Sequence, residues 1–454
     1  MITIKTGGIC EVRGCPKDIL VLAKKILTIP NPAYHRVARI TGNSWAAERD
    51  FKYYKERPDG SFLFPRGFRG RFKAYLDKNK VSYSESESFV DSKTGVLKGW
   101  KPVELRDYQV SVVETALGHA EGVIYASVGA GKTVISCEIT RRIGLKTTIL
   151  VPTTIIAEQF KDEFKKWFQY DVGIVGDGKK EIGDITVATW QSLAADESVL
   201  KQLVEQTGLL IIDECHGVTS KGRSTILRQF RPERLYGLSG SPRRSKDDGR
   251  TDAIFFYLGP VIASHEMTQI KPVVDVIMTK CDIQMDYNYA NMVDTMVKND
   301  SRNKLISGLA LGEAMSGKKV LVLLKRREHC KLIMDKLGSV GAYYADSDDP
   351  ERNEVLMKMR SGEYLFNILV GTLSLLGAGV DVPSLDVVIF GGDLKSDVLL
   401  QQGAGRVMRL FEGKETCKIY DLVDYGNPIF KNQFYERRKF YKQKGWEMLG
   451  SEKK

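Results

Sequence analysis

The chain has 454 residues, of which 43% are hydrophobic and 28% charged, and it carries seven cysteines and a formal net charge of +11. This describes a soluble globular protein of about three ordinary domains. No apolar run is long enough to cross a bilayer, residues 1–10 lack the apolar core of a secretory leader, and Cys10 and Cys15 have no second pair to complete a metal site, so the cysteines read as reduced thiols of a cytoplasmic protein.

Residues 1–98 form a first, basic α+β unit. Residues 1–100 hold 19 Lys/Arg against 10 Asp/Glu, so +9 of the +11 lies there. That asymmetry points to a polyanion, most simply nucleic acid, with a solubility surface as the alternative. Ile19–Ile26 predicts a helix, Arg36–Ile40 and Asp50–Tyr54 predict strands, and Arg57-Pro58-Asp59-Gly60 predicts a turn. A helix is expected to follow Phe68 and run through Tyr75. Between Arg49 and Lys80, ten basic and four acidic residues are interleaved with Phe and Tyr. Most of the rings are expected in the core, with the charges as contact surface. The Ser- and Glu-rich stretch Val81–Gly99 reads as a linker.

Leu105-Arg106-Asp107-Tyr108-Gln109 opens the next unit. The Gln109 amide can pair with both N6 and N7 of adenine, and Tyr108 and Arg106 can stack on the base. The apolar run Gly122–Tyr125 predicts a buried strand and Val134–Ile143 a helix. Between them lie Ala126, Ser127, Val128, Gly129, Ala130, Gly131, Lys132 and Thr133. Strand, small-residue loop ending Gly-Lys-Thr, and helix are what a phosphate loop requires. The glycines let backbone N–H groups converge on a polyphosphate, Lys132 adds a charge, and Thr133 can hold Mg²⁺. Apolar runs at Thr148–Val151, Ile185–Ala188, Leu209–Ile212 and Leu235–Leu238 alternate with helical segments at Ile155–Phe168 and Gln191–Gln206. Such alternation predicts a parallel sheet whose ligands sit at the carboxyl ends of the strands. Lys132, Pro152, Thr153, Thr189, Gln191, Asp213 and Ser239 fall at such ends. Asp213 is placed for a second Mg²⁺ contact and Glu214 to activate water.

Pro242 to about Asn299 is less regular. A second alternating unit follows, with helices at Ser301–Met315 and Glu328–Leu337 and strands at Val320–Leu324, Ile368–Gly371 and Val387–Phe390. The segment Leu399–Leu410 predicts a helix with Gln402, Gly405, Arg406 and Arg409. Arginines three apart share one helical face, either as a solvated face or as fingers for a bound phosphate. The basic, aromatic tail Asn427–Lys454 is expected to pack back on this unit.

The ordered set resembles the motor core of superfamily 2 helicases. Leu105–Gln109 resembles the Q motif, Ala126–Thr133 motif I, Pro152-Thr153 motif Ia and Asp213–His216 a DExH-type motif II. Ser239-Gly240-Ser241-Pro242 stands at motif III, Thr372 with Gly377–Asp381 at motif V, and Gln402–Arg409 at motif VI. Two departures are Ala126, where motif I has Gly, and Gly240, where motif III has Ala. Asn299–Asn303 and the small basic first domain resemble phage branch-migration helicases of the UvsW kind and XPB-type translocases.

The resemblance implies two tandem RecA-like parallel-sheet lobes behind a small α+β domain. Their bounds are 1–98 for the DNA-binding domain, 101–265 for lobe 1, 266–299 for a connecting segment, 300–425 for lobe 2 and 426–454 for a helical tail. It implies ATP and Mg²⁺ as cofactors and DNA as partner, the protein acting as a monomer. Gln109 and Arg106 then select adenine, and Gly129, Gly131 and Lys132 bind phosphates. Thr133 and Asp213 hold Mg²⁺, Glu214 activates water and Gln402 helps place it. Arg406 and Arg409 stabilise transition-state charge and Asp381 touches the ribose, while Pro152, Thr153, Thr189, Gln191 and Thr372 contact the nucleic-acid backbone. The implied activity is ATP-driven unwinding of forks and junctions and branch migration, in a phage-encoded protein. An RNA helicase, a restriction-type translocase and a non-enzymatic ATP-switched clamp remain as rival readings.

Overall fold

In a computed structural model of the chain, the described residues are 1–31, 34, 48–97, 99–127, 129–240, 250–265, 270–279, 281–338, 341–345, 349, 354–355, 367–372, 385–393, 400, 403–404, 408, 414 and 416–450. The chain divides into two compact units, Met1–Met267 and Thr268–Lys454.

The first unit begins with the short strands β1 (Ile2–Thr6), β2 (Ile9–Arg13), β3 (Thr28–Pro30), β4 (Asp50–Lys52), β5 (Lys55–Glu56), β6 (Phe62–Pro65) and β7 (Tyr83–Glu87). They form a five-stranded sheet in the order β5-β6-β2-β1-β7 and a β3-β4 pair. The predicted turn closes through Gly60 N–H donating to the Arg57 carbonyl at 3.0 Å. Helices Lys17–Ile26 and Arg69–Lys78 cover the sheet's apolar residues. Phe62, Phe64, Phe68 and Phe72 are buried in this core, with ring centroids 5.2–5.9 Å apart along Phe62–Phe64–Phe72 and Phe64–Phe68. The rings are therefore packing, as expected. Residues 83–87 differ from the linker reading: β7 pairs in parallel with β1. Its Ser and Glu side chains suit an edge strand whose outer residues meet water.

This small domain shares a core with the sheet that follows. Phe68 meets Phe256 edge-on at 5.8 Å, and Tyr53 meets Tyr257 at 6.1 Å. Arg66 is 1% exposed, donates to Glu121 and to the Pro232 carbonyl, and reaches the Glu233 carbonyl at 2.9 Å. A Cβ on Gly67 would lie 2.1 Å from Gly259 N, so only glycine admits this backbone approach.

The following strands are β8 (Glu121–Ala126), β9 (Thr147–Val151), β10 (Gly173–Gly176), β11 (Lys179–Lys180), β12 (Ile185–Thr189), β13 (Leu209–Ile212), β14 (Arg234–Ser239) and β15 (Val261–His265). Their order is β11-β10-β12-β9-β13-β14-β8-β15, parallel throughout except for β11. Val123, Leu150, Ala188, Leu210, Ile212 and Leu235 join one core cluster with helices Trp190–Ala195, Glu197–Gln206 and Lys221–Leu227. The intervening Ile124, Ile149, Val187 and Ile211 are buried as completely, as a sheet covered on both faces requires. The helix predicted at Gln191–Gln206 is two helices, because Asp196 accepts from the N–H groups of Ser198 and Val199 and caps a new start.

The second unit contains β16 (Val273–Met278), β17 (Val320–Leu324), β18 (Ala342–Tyr344), β19 (Ile368–Thr372), β20 (Val387–Phe390), β21 (Lys418–Val423) and β22 (Glu447–Leu449). The order is β18-β19-β17-β20-β21-β16-β22, with every pairing parallel. The two tandem parallel sheets behind a small α+β domain are the RecA-like architecture. The stretch 266–299 supplies β16, an inner strand, and helix Tyr289–Lys298, while the tail supplies helix Pro428–Lys444 and β22. Arg437 holds that helix to β21 by two N–H donors on Asp421, to which the Tyr441 hydroxyl also donates at 2.9 Å.

Within Asn299–Asn303, Asn299 caps helix Asp300–Met315, Arg302 donates to Asp424 at 2.9 Å and to the Gly391 carbonyl at 2.8 Å, and the Asn303 side-chain oxygen Oδ1 lies 2.9 Å from His329 Nε2. Burial, and then the charges of Arg302 and Arg326, depress the His329 pKa from 6.5 to about 3.

Arg66→Ala leaves the Pro232 and Glu233 carbonyls without this donor and Glu121 with only Arg69 at 3.5 Å, and should cost about 3–5 kcal/mol in urea unfolding of the first unit; a loss below about 1 kcal/mol would refute the anchor. His329 stays neutral in the folded chain and binds a proton in the unfolded chain below about pH 6.5. Its contribution is present above that value and is lost as pH falls toward 3, by at most about 1.4 kcal/mol per pH unit. His329→Gln should flatten the dependence of unfolding free energy on pH between 7 and 5.

Candidate nucleotide site

Three strand ends meet at the carboxyl edge of the first unit's parallel sheet. β8 ends at Ala126 and the chain turns through Ser127 to Gly131 into helix Lys132–Ile143. Gly129 and Gly131 have φ of +89° and +74°, which side-chain-bearing residues rarely adopt, so the turn needs these two glycines. Ala130 N–H donates to the Ser127 carbonyl at 3.1 Å, and Ser127 N–H donates to the carbonyl of His265 at the end of β15. Val128 lies outside the described residues.

β13 delivers Asp213 and Glu214. Asp213 N–H donates to the Leu150 carbonyl of β9 at 2.9 Å, which fixes the start of the turn. Glu214 has φ +48°, a rare backbone conformation for a residue with a side chain. Its carboxylate lies 3.7 Å from Lys132 Nζ and 3.2 Å from His216 Nδ1. Burial acts to raise the Glu214 carboxyl, but the Lys132 charge and the hydrogen bond from His216 outweigh it and hold the group below the ordinary range. Asp213 moves the other way: burial, then the adjoining Glu214 charge, push its carboxyl well up against the pull of Lys132. An Asp 7% exposed, with no cation in salt-bridge range among the described residues, is a group that a divalent cation would stabilise. Thr133, one residue into the helix and half-buried, completes the pair expected to hold Mg²⁺.

Gln109 is 6% exposed, and its amide is committed within the chain. Its NH₂ donates to the Ala130 carbonyl at 3.0 Å and its oxygen accepts from Arg106 N–H at 2.9 Å. The Tyr108 hydroxyl donates to the same Ala130 carbonyl at 3.2 Å, and its ring stacks on His265 at 3.9 Å. Here Gln109 braces the phosphate loop. Arg106 is exposed beside Tyr108. His265 was not legible as a site residue, since it closes a strand hidden in an irregular stretch. His216 was legible by spacing alone, two residues past Glu214.

The expected backbone contacts line the same edge further along. Thr153 and Thr189 cap the helices after β9 and β12, Thr189 by accepting from Ser192 N–H at 3.2 Å, and Gln191 is exposed. Among the described residues the buried Thr153 hydroxyl has no hydrogen-bond partner, and Pro152 precedes it half-buried. Ser239 ends β14, buried, and Thr372 ends β19 in the second unit. Asp381, Gln402, Arg406 and Arg409 lie outside the described residues.

Residues 102–244 match the family described as type III restriction enzyme, res subunit, and residues 300–411 match the helicase conserved C-terminal domain. The DNA 3'-5' translocase XPB2 of Sulfurisphaera tokodaii is 26% identical over 376 residues, 72% of this chain and 83% of that protein. The ATP-dependent DNA helicase uvsW of Enterobacteria phage T4 is 25% identical over 413 residues, 81% of this chain and 80% of that protein. The chain is a superfamily 2 helicase. Its likeness is to the UvsW and XPB groups, and it hydrolyses ATP. The fold also matches the ATP-dependent type ISP restriction-modification enzyme LlaBIII bound to DNA, with a TM-score of 0.56 and 16% identity over 82% of this chain and 32% of that one. No helix among the described residues is long and apolar enough to cross a membrane.

In this helicase the phosphate loop and the acid pair suit ATP with Mg²⁺. Bound ATP supplies a phosphoryl group open to attack by water. Lys132 and the loop N–H groups would be placed to orient the phosphates, and Glu214, held below the ordinary carboxyl range, would be placed to hold water and accept its proton. Glu214→Gln should keep nucleotide binding, measured with a fluorescent ATP analogue, and lower turnover by roughly 10²–10⁴-fold. Lys132→Ala should abolish turnover. A Glu214→Gln enzyme with full phosphate release would remove the base assignment.

Proposed function

We propose that this helicase is a DNA-directed motor that unwinds forks and junctions and drives branch migration. The Lys132–Glu214 pair at the strand ends supports the hydrolytic half of this reading. DNA as the substrate is supported by the names of the XPB2 and uvsW relatives and by the basic first domain. Contacts from Thr153, Thr189, Gln191 and Thr372 to the sugar-phosphate backbone would make the motor tolerant of sequence. Residues 1–98 act as the branch-docking domain, 101–265 as lobe 1 and 300–425 as lobe 2. In this reading Arg406 and Arg409 stabilise transferring-phosphoryl charge, Gln402 helps place water and Asp381 touches the ribose. The protein works as a monomer on DNA in the cytoplasm, in recombination, repair or replication restart, and its likeness to uvsW supports a phage origin.

ATPase and strand-displacement assays on single strands, forks and four-way junctions, in DNA and in RNA, test this. Junction DNA should stimulate turnover and be resolved faster than linear duplex of equal length. Stimulation by RNA alone would make the protein an RNA helicase instead. Arg409→Ala should leave ATP binding near normal and cut turnover by roughly 10³-fold or more; unchanged turnover would strip Arg409 of its role.

A further inference from the structure

We propose that the cleft where the N-terminal domain meets the first parallel sheet is a second nucleic-acid site, one that takes a single strand. The inference rests on the helicase reading and adds a contact surface away from the strand-end edge. The cleft has a volume of about 490 Å³, in the range of sites that enclose a small ligand. One wall is the segment Phe51–Lys55 with part of β6, and the other is Thr219–Lys221 with Ser224, Arg228 and Tyr257.

The charges on these walls are unbalanced. Lys52 and Lys55 stand on one wall and Lys221 and Arg228 on the other, against the single carboxylate of Glu48. Elsewhere in the domain, Arg13 and Arg57 are held by Glu11, Lys24 by Glu56 and Lys73 by Glu85. Among the described residues none of the four cleft cations has a carboxylate partner. Arg228 uses Nε on the Ser224 carbonyl at 3.0 Å, and Lys52, Lys55 and Lys221 are exposed. Four cations facing one space attract phosphates, because neutralising each phosphate releases a condensed counterion.

The rings argue for unpaired bases. Phe51 and Tyr54 are half-buried on the wall, and Tyr53, wedged edge-on against Phe256 and Tyr257, sets the floor. Aromatic faces among cations suit a single strand, whose bases are free to stack, while a duplex hides them. Both walls are fixed in advance, since Arg66 and the close approach at Gly67 hold the domain on the sheet. Little ordering cost then falls on binding. The second wall also begins three residues past the His216 turn: Ser220 N–H donates to the Gly217 carbonyl at 3.3 Å, and Ser224 N–H to Ser220 at 2.9 Å. A strand in the cleft therefore touches the segment that leaves the catalytic acids.

The test uses the full chain with fluorescein-labelled dT20 and with a 20-bp blunt duplex, followed by anisotropy across a salt series. The Lys52→Glu, Lys221→Glu double variant changes two exposed residues, and thermal melting checks that it folds. It should bind dT20 at least tenfold more weakly at low salt. Its salt slope should fall by about 1.4, the value for two single-strand phosphates. Duplex binding and ATPase without nucleic acid should be unchanged. Phe51→Ala should weaken dT20 binding at an unaltered salt slope. Wild-type affinity and slope for dT20 in the double variant would overturn the cleft while leaving the motor reading intact. An equal loss on the duplex would also overturn it, by making the lysines general attractors. No binding of either nucleic acid by the wild-type chain would instead remove the helicase reading beneath it.

Discussion

The structure of the first unit is governed by one electrostatic requirement, that the Lys132 ammonium and the Glu214 carboxylate face each other although their strands are not neighbours. β14 lies between β8 and β13. The two side chains meet only because both strands end on the same edge and each is followed at once by a tight turn of unusual backbone, Gly129 to Gly131 on one side and Glu214 on the other. A one-residue slip in either strand would turn its terminal side chain to the other face. The uniform parallel register of β9, β13, β14 and β8 is thus what makes the site. The same geometry splits two adjacent acids, with Glu214 held below the ordinary carboxyl range chiefly by Lys132 and Asp213 pushed up by burial and by the Glu214 charge.

Buried guanidinium groups do the joining elsewhere. Arg66 ties the small domain to Glu121 and to carbonyls before β14, Arg302 ties a helix start to Asp424 and Gly391, and Arg437 ties the tail helix to Asp421. Each pairs a carboxylate and, in two cases, backbone oxygens, so burial leaves the cation solvated by protein. This has a consequence for truncation. Removing residues 1–98 would strip the partners from Glu121 and uncover Phe256, so loss of branch preference in such a fragment would mix lost docking with a damaged sheet.

Much of this architecture is legible in the chain. The β-branched runs that became β9, β12, β13, β17 and β20 are short, apolar and followed by turn residues, which is why both parallel sheets and the phosphate loop could be read directly. The elements that could not be read share a physical reason. β7 is Tyr-Ser-Glu-Ser-Glu, β15 contains Ser and His, and β16 carries Asp275, so hydrophobic periodicity is diluted where strands lie near sheet edges or end at a site. Charge is equally silent about depth. Arg66 sits in a basic stretch beside Arg69 and Arg71, and nothing local marks it as the buried one, because its partners come from more than fifty residues away. Gln109 was legible as a site residue but its bonding was not, since the acceptor on Ala130 exists only once the loop has folded.

That bonding bears on how a base and a phosphate are sensed together. A Cβ on Gly131 would lie 2.4 Å from Gln109 Nε2 and would push the amide aside, while the φ of +74° favours glycine in its own right. An adenine that met the Gln109 amide through its N6 and N7 would draw on the same NH₂ and oxygen that hold the Ala130 carbonyl and the Arg106 N–H. The Ala130 carbonyl would keep the Tyr108 hydroxyl as its donor, while Tyr108 stays stacked on His265, whose own carbonyl accepts from Ser127 in the same loop. A base bound at Gln109 would therefore act on a side chain that also braces the phosphate loop through Ala130.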